Sequence, residues 1–309
     1  MGRVLSLNIS DKRGVAKQTV LSVMVTETGI AGDAHSGNWH RQVSLLPGEQ
    51  VNAFEAELGR PLAPGEFGEN ITVEGVDFSG IAVRDQLHLG SVVLEVTQIG
   101  KRCHGEGCAI YTAAGKCIMP SMGVFCRVIR GGPLYTGDKV SHVAKPVRVM
   151  VITLSDRAHK GEYEDRSGPE IVRMLARHFK STRWQLSVNT AIIGDDADRL
   201  REMVAACAAD KVDVLITTGG TGIGKRDITP ETLTPLLERE IPGIMDFIRN
   251  KYGATLPQAL VSRSVAGTIG EMQVFALPGS VKAAREYMHE ILLVVEHNMM
   301  MLWGIDSHE

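Results

Sequence analysis

The 309-residue chain is poor in cysteine: it has five, an odd number at uneven spacing. That suits a reducing cytoplasm better than a disulfide framework. Charge of one sign is also lacking. The 33 Lys and Arg against 36 Asp and Glu give a formal net charge of −3, so there is no basic footprint for nucleic acid. The opening residues, MGRVLSLNIS, carry no apolar signal core, which predicts no export. Long apolar runs are missing too. The nearest, ILLVVEHNMMMLWGI (291–305), is interrupted by Glu296, His297 and Asn298. It is too short and broken to span a bilayer and reads as a core helix. No internal repeat or low-complexity segment stands out. These absences leave a cytoplasmic protein that acts on small molecules without nucleic-acid or membrane partners.

What the chain does have is length for two domains and one conspicuous loop. Residues 215–231 read LITTGGTGIGKRDITPE. An apolar run containing Val212, Val214, Leu215 and Ile216 enters this loop as a buried parallel strand would. Thr229-Pro230-Glu231 leaves it, with Thr as N-cap and Pro at the first helical position. Strand, glycine loop and helix start form an anion site, because unpaired N–H groups point at whatever sits there. Phosphate is the obvious occupant. A tight turn needing positive φ would explain one or two glycines, but not glycines interleaved with threonine and followed by two cations. Gly219 to Lys225 matches the first part of a P-loop, yet Arg226 stands where Ser or Thr should hold Mg²⁺. A dinucleotide fingerprint fails because Lys225 occupies the third glycine position. What remains is a phosphate cradle carrying its own carboxylate, Asp227, suited to a nucleotide whose Mg²⁺ is held by Asp.

The pattern changes near residue 145, dividing the chain into domains 1–145 and 146–309. The first part has short apolar segments between glycine-rich turns, as a mainly β barrel would. One helix is expected there from Gly48 to Leu58, with Val51, Phe54 and Leu58 on one face. The second part alternates strands and helices, which means a doubly wound α/β domain with a mostly parallel sheet. Ligands of such sheets bind beyond the carboxyl ends of the strands. Those ends deliver Ser155-Asp156-Arg157, Gly194-Asp195-Asp196, the glycine loop with Asp227, and Pro278-Gly279-Ser280. Asp195 or Asp196 alone could cap the helix starting at Ala197, and Ser155 and Asp156 could be ordinary caps. Their joint placement is the stronger signal.

The segments TLSDRAHKGEYEDRSG, TTGGTGIGKRDITPE and LPGSVKAAREYM together resemble the molybdopterin adenylyltransferase family, the MogA/MoaB-type domain also found in gephyrin-like proteins. The resemblance spans about residues 147–303. It implies that the terminal phosphate of molybdopterin attacks the α-phosphate of MgATP, giving adenylylated molybdopterin and pyrophosphate. The family's metal and catalytic aspartates fall on Asp195 and Asp227, the expected Mg²⁺ ligands. Gly194 stands where many relatives have Pro. The amides of Gly219, Gly220, Thr221 and Gly222, those around Pro278, Gly279 and Ser280, and the side chains of Lys225, Arg226, Ser155, Asp156 and Thr229 would hold ATP and molybdopterin. Joining two anionic phosphates needs charge neutralisation and alignment above all. The family also implies a homo-trimer; apolar Met299, Met300, Leu302 and Trp303 exceed what one helix face can bury.

In the first domain, GIAGDAHSG, QVSLLPGE, GEFGENITVEG and the stretch from Gly100 to Asp138 resemble a MOSC domain, over about residues 1–143. That family's functional cysteine, a sulfur carrier or molybdenum or tungsten ligand, falls on Cys103 in GKRC, so the molybdenum cofactor could bind there. Lys101 and Arg102 would favour its thiolate and could hold a pterin phosphate. If the strand continued through them, Lys101 and Cys103 would share a face and Arg102 would point away. His35 and His40 are candidate polar site residues. The spacing of Cys103, His104, Cys108 and Cys117 is a poor match to structural zinc, and Cys117, Cys126 and Cys207 read as small core hydrophobes. The joint expectation is a bifunctional enzyme of molybdenum or tungsten cofactor biosynthesis, in transient contact with metal-insertion proteins or molybdoenzymes. The competing class is a carrier or scaffold without turnover.

Overall fold

A computed structural model describes residues 2–102, 111 and 117–305. Contacts divide the chain into two compact units that part between Lys145 and Pro146. The first unit contains β1 (Gly2–Ile9), β2 (Gln18–Val20), β3 (Ser22–Thr26), β4 (Gly29–Ile30), β5 (Val43–Pro47), β6 (Ile71–Glu74), β7 (Gln86–Leu89), β8 (Val92–Ile99), β9 (Val124–Arg130), β10 (Gly132–Tyr135) and β11 (Lys139–Val143). Seven of them close a barrel in the order β11-β7-β8-β9-β5-β6-β1, where pairing of Gly2 with Val140 completes the ring. Closure leaves no open edge in the ring. Alternate residues such as Val4, Leu45, Leu87 and Leu94 fill the interior. Outside the ring, β2 extends β1, and β10, β3 and β4 form a small second sheet.

The helix Gly48–Leu58 is where the spacing of Val51, Phe54 and Leu58 places it. All three pack, partly buried, onto the cluster of Leu46, Phe67 and Phe125. Phe54 meets Phe67 edge to face at 5.6 Å, and Gly59 ends the helix in the left-handed region. Cys126 is buried in the barrel core and Cys117 lies half-buried beside the Phe125 cluster.

The second unit holds β12 (Val147–Leu154), β13 (Leu186–Ile193), β14 (Val214–Thr218), β15 (Arg239–Glu240), β16 (Ala266–Ile269) and β17 (Met272–Leu277). Their order is β13-β12-β14-β17-β16-β15. The first four run parallel, while β16 and β15 return antiparallel. The central strands β14 and β17 are buried along their whole length, as continuous apolar runs predict, whereas β13 is a largely exposed edge. Register sets the carboxyl ends abreast: Leu154 pairs with Ile193, Thr153 with Thr218, and Thr218 with Leu277. The helix Ala197–Ala209 lays Leu200, Val204 and Cys207 on the sheet.

One expectation needs correction. Residues 291–305 do not form a single core helix; the chain makes one helix at Val281–Ile291 and another at Val295–Leu302. The second helix is tied to the sheet by the wholly buried Gln273 of β17. It donates to the Val295 carbonyl at 3.0 Å and accepts from Asn298 at 3.0 Å, anchoring the second helix on the sheet. Met299 and Trp303, counted above as surplus, are buried within the domain; Leu293 and Met301 are the exposed apolar residues there. Among the described residues no helix is long and apolar enough to cross a membrane.

The barrel unit also buries an ion pair that its sequence does not advertise. Lys17 Nζ lies 2.5 Å from Asp33 Oδ2, with both side chains essentially inaccessible. Burial works against the Asp33 charge, but hydrogen bonds from His35 and Lys17 outweigh it and hold the carboxyl well below its usual range. Asp33 also accepts the Ser10 and His35 N–H groups, tying the loop after β1 to the loop after β4. Asp33→Asn leaves Lys17 buried without a counter-charge and should lower unfolding stability by about 3–5 kcal/mol. Urea unfolding followed by Trp39, the one tryptophan in residues 1–145, reports it. Because the Asp33 pKa is depressed, its stabilisation is present at neutral pH and lost as pH falls towards the folded value. A variant as stable as the parent at pH 7 would contradict this role for the pair.

Candidate active site

The glycine loop leaves β14 at Thr218 and turns back at once. Gly219 and Gly220 have φ of 110° and 64°, values that glycine adopts without strain. Gly219 also runs against β12, and a Cβ there would collide with the Leu154 carbonyl. Beyond Thr221 the reason for glycine changes. A Cβ on Gly222 or Gly224 would stand 2.8 Å from an oxygen of Asp227. These two make room for a carboxylate, which accepts the Gly224 N–H at 2.7 Å. The Pro278-Gly279-Ser280 turn closes in from β17. Thr218 Oγ1 donates to the Pro278 carbonyl at 2.9 Å, and a Cβ on Gly279 would lie 3.2 Å from Gly219 Cα.

The other two strand ends supply charge. Ser155 caps a short helical turn, accepting the Ala158 N–H at 3.3 Å. Asp196, by accepting from Asp198 and Arg199, is the N-cap of the helix Ala197–Ala209, which leaves the Asp195 carboxylate uncommitted to capping. Asp156 reaches across from the end of β12. One of its oxygens accepts the Asp195 N–H at 3.1 Å and the other pairs with Arg226 of the glycine loop. The two carboxyls are pushed in opposite directions. The Asp195 N–H and the Arg226 charge hold Asp156 below the ordinary range, while burial, and next the Asp156 charge, raise Asp195.

These pieces line one cleft of about 1150 Å³, which includes Ser155, Asp156, Asp195, Gly219–Gly222 as individual lining residues, Arg226, Asp227 and the Pro278, Gly279, Ser280 turn. Two candidates stand elsewhere. Lys225 is exposed and not among the lining residues. Thr229 is wholly buried behind the loop, its hydroxyl donated to the Gly219 carbonyl at 2.8 Å; it supports the loop from behind. Two supporting residues escaped the sequence reading. Asp165 accepts from Thr153 at 2.7 Å and from the N–H groups of Ser167 and Gly168, fixing the helix Ser167–Phe179. Arg263 bonds the backbone of the glycine loop at Gly222 and Asp227. Asp165 lies within the quoted segment TLSDRAHKGEYEDRSG, where it was given no role, and only the fold brings Arg263 to the loop.

Among the described residues no group of three or more His, Cys, Asp or Glu is assembled to hold a metal. The partly buried Asp195 and the loop carboxylate of Asp227 are two oxygen donors of the cleft. One or two carboxylates, completed by phosphate oxygens and water, is the set that Mg²⁺ accepts.

In the barrel unit, Cys103, His104 and Cys108 lie outside the described residues. Lys101 is half-buried, with Nζ 6.0 Å from the centre of the Phe125 ring, and Arg102 is exposed. The expected alternation through Lys101 and Arg102 does not apply, because β8 ends at Ile99 and Gly100 turns at φ 71°. His40 lies 3.2 Å from Gln98, and His35 joins the Lys17–Asp33 pair.

Each half matches a known family. The family described as "Probable molybdopterin binding domain" matches residues 150–297, and the MOSC domain family matches residues 32–141. Molybdenum cofactor biosynthesis protein B of Staphylococcus carnosus is 44% identical over 151 residues, covering 48% of this chain and 85% of that protein. Molybdopterin adenylyltransferase of Helicobacter pylori is 30% identical over 159 residues, 51% of this chain and 89% of that one. Gephyrin of Dictyostelium discoideum is 36% identical over 155 residues, 48% of this chain, but the match spans only 21% of gephyrin.

The opposed shifts of Asp156 and Asp195 can be tested directly. Asp156→Asn removes a like charge and should lower the Asp195 pKa; Arg226→Gln removes an opposing cation and should raise it. Carboxyl-carbon NMR of the Asp195 side chain follows both. An Asp195 titration indifferent to either change would refute the coupling.

Proposed function

The chain belongs to the molybdopterin adenylyltransferase family through its C-terminal domain, with a MOSC domain ahead of it, and on that premise we propose that it transfers AMP from ATP to molybdopterin. It is a nucleotidyltransferase of molybdenum or tungsten cofactor biosynthesis. A terminal phosphate oxygen of molybdopterin bonds to the α-phosphorus of ATP, the bond from that phosphorus to the bridging oxygen breaks, and pyrophosphate leaves. The observation that carries this reading is the meeting of a glycine loop, a second glycine turn and a partly buried Asp195 in one cleft.

Each element has a part in such a reaction. Amides of Gly220, Thr221 and Gly222 and of Gly279 and Ser280 receive phosphate oxygens, fixed beforehand by the sheet so that little reorganisation is needed. Arg226 adds positive charge at the mouth of the loop. Mg²⁺, when bound with the triphosphate, supplies further charge neutralisation. Asp195 and Asp227 would hold it, and the raised pKa of Asp195 marks a carboxylate that gains from a cation nearby. Binding in a cleft aligns the attacking and departing oxygens, which is most of what phosphoryl-type transfer requires.

The MOSC domain, in the same reading, binds or modifies the cofactor or a sulfur-bearing intermediate. Cys103 is the thiol that the family resemblance assigns to this task. Assembly as a trimer through the C-terminal domain belongs to the proposal as well; exposed Leu293 and Met301 are apolar surface that such an assembly could cover.

Asp195→Asn and Asp227→Asn preserve shape while removing charge. Each should leave the melting temperature near that of the parent and lower the rate of adenylylated molybdopterin formation by about two orders of magnitude. Chromatography of the product with parallel pyrophosphate assay measures it. Turnover at the parental rate in either variant would remove that carboxylate from the mechanism.

A further inference from the structure

The six residues 222–227 form a lobe of the glycine loop that carries both Arg226 and Asp227. Little apolar packing holds it: Ile223 is 77% exposed, and Gly224, Lys225 and Arg226 are exposed too. A short, glycine-rich, solvated lobe of this kind should sample many positions unless hydrogen bonds fix it. Gly224 and Asp227 bond each other within the lobe, Arg226 pairs with Asp156, and the bonds that join the lobe's two ends come from one side chain. Arg263 Nε donates to the Gly222 carbonyl at 2.6 Å and Nη2 donates to the Asp227 carbonyl at 2.9 Å. A single planar guanidinium thus bridges the first and last residues of the lobe.

Arg263 is itself anchored at both ends. Its backbone N–H donates to the Thr221 carbonyl at 2.9 Å, and its Nη1 pairs with Glu231 in the helix that follows the lobe. Three nitrogens of one fork therefore face three acceptors, an arrangement that a lysine ammonium on a flexible stem cannot reproduce. The cation binds backbone and Glu231; where Arg263 touches the phosphate-facing turn it bonds carbonyls, that of Thr221 through its backbone N–H and that of Gly222 through Nε.

We propose that Arg263 is a positioning residue for adenylyl transfer: it clasps the 222–227 lobe shut and so sets where Asp227 and Arg226 stand in the cleft. The proposal rests on the transfer reaction assigned above. Its consequence is a loss in kcat far larger than any rise in KM for MgATP or molybdopterin, because the Gly219 and Gly220 part of the phosphate-binding turn is held independently by Thr229 and β17. A residue that merely stabilised the domain would lower the melting temperature without separating kcat from KM.

The test uses the full chain with Arg263→Lys, which keeps the charge and loses the bridge. The expected result is about a hundredfold lower kcat, the cost of a misplaced catalytic group near 1 Å, with both KM values within about twofold and faster amide hydrogen exchange confined to residues 222–227. Free guanidinium ion added to Arg263→Ala should restore part of kcat, whereas ammonium should not. Parental kcat in Arg263→Lys, or a fall in kcat without faster exchange in the lobe, would overturn the proposal. If the lysine variant fails to fold, Glu231→Gln applies the same criteria with Arg263 in place: kcat about threefold lower with faster lobe exchange supports the clasp, and no change in either overturns it. The parent protein run beside them separates the two readings. No product from the parent refutes adenylyl transfer, while product from the parent and equal product from the variant refutes only the clasp.

Discussion

Two carboxylates on neighbouring strand ends, and the one arginine that makes their approach tolerable, govern the C-terminal site. Asp156 accepts the Asp195 N–H and pairs with Arg226, so its charge is largely spoken for. Asp195 sits half-buried beside it, with its proton affinity raised by burial and by that neighbouring charge. Such a group gains most from a cation brought by the substrate. The loop arginine therefore does two things: it binds the glycine lobe to the β12 end, and it keeps the acidic edge from repelling itself.

The rest of the domain serves to hold that edge still. Paired register across β13, β12, β14 and β17 sets four chain ends abreast, and buried threonines at the edge bond across strands and turns. Thr218 reaches the Pro278 carbonyl, Thr229 reaches the Gly219 carbonyl and Thr153 reaches Asp165. Each is a neutral hydroxyl placed where a charge would be costly and an aliphatic group would leave a carbonyl or carboxylate unpaired. In the barrel unit the corresponding device is ionic: the enclosed Lys17–Asp33 pair ties loops that hydrogen bonds between strands do not reach.

Much of this was legible in the residues because local chemistry determined it. The period-two pattern and glycine turns of the first half, the strand–helix alternation of the second, and the helix Gly48–Leu58 all follow from local signals. So does the clustering of Asp156, Asp195, the glycine loop and Pro278 to Ser280, since strand ends of an open parallel sheet share an edge. What was not legible depends on distant partners. Gln273 anchors the last helix from within β17, Arg263 arrives from 36 residues beyond the loop carbonyl of Asp227 that it binds, and Lys17 of the loop after β1 finds Asp33 of the loop after β4. Thr229 misled for a simpler reason. A threonine before Pro at a helix start looks like a phosphate contact, and only its burial shows that its hydroxyl faces backward.

The central claim is that this cleft forms a phosphorus–oxygen bond between two bound phosphates. The most direct measurement supplies the full chain with molybdopterin, Mg²⁺ and ATP labelled at the α-phosphate. The account predicts label in a product of the mass of adenylylated molybdopterin, with one pyrophosphate released for each label transferred. Molybdopterin bound tightly with no label transferred and no pyrophosphate released would contradict it.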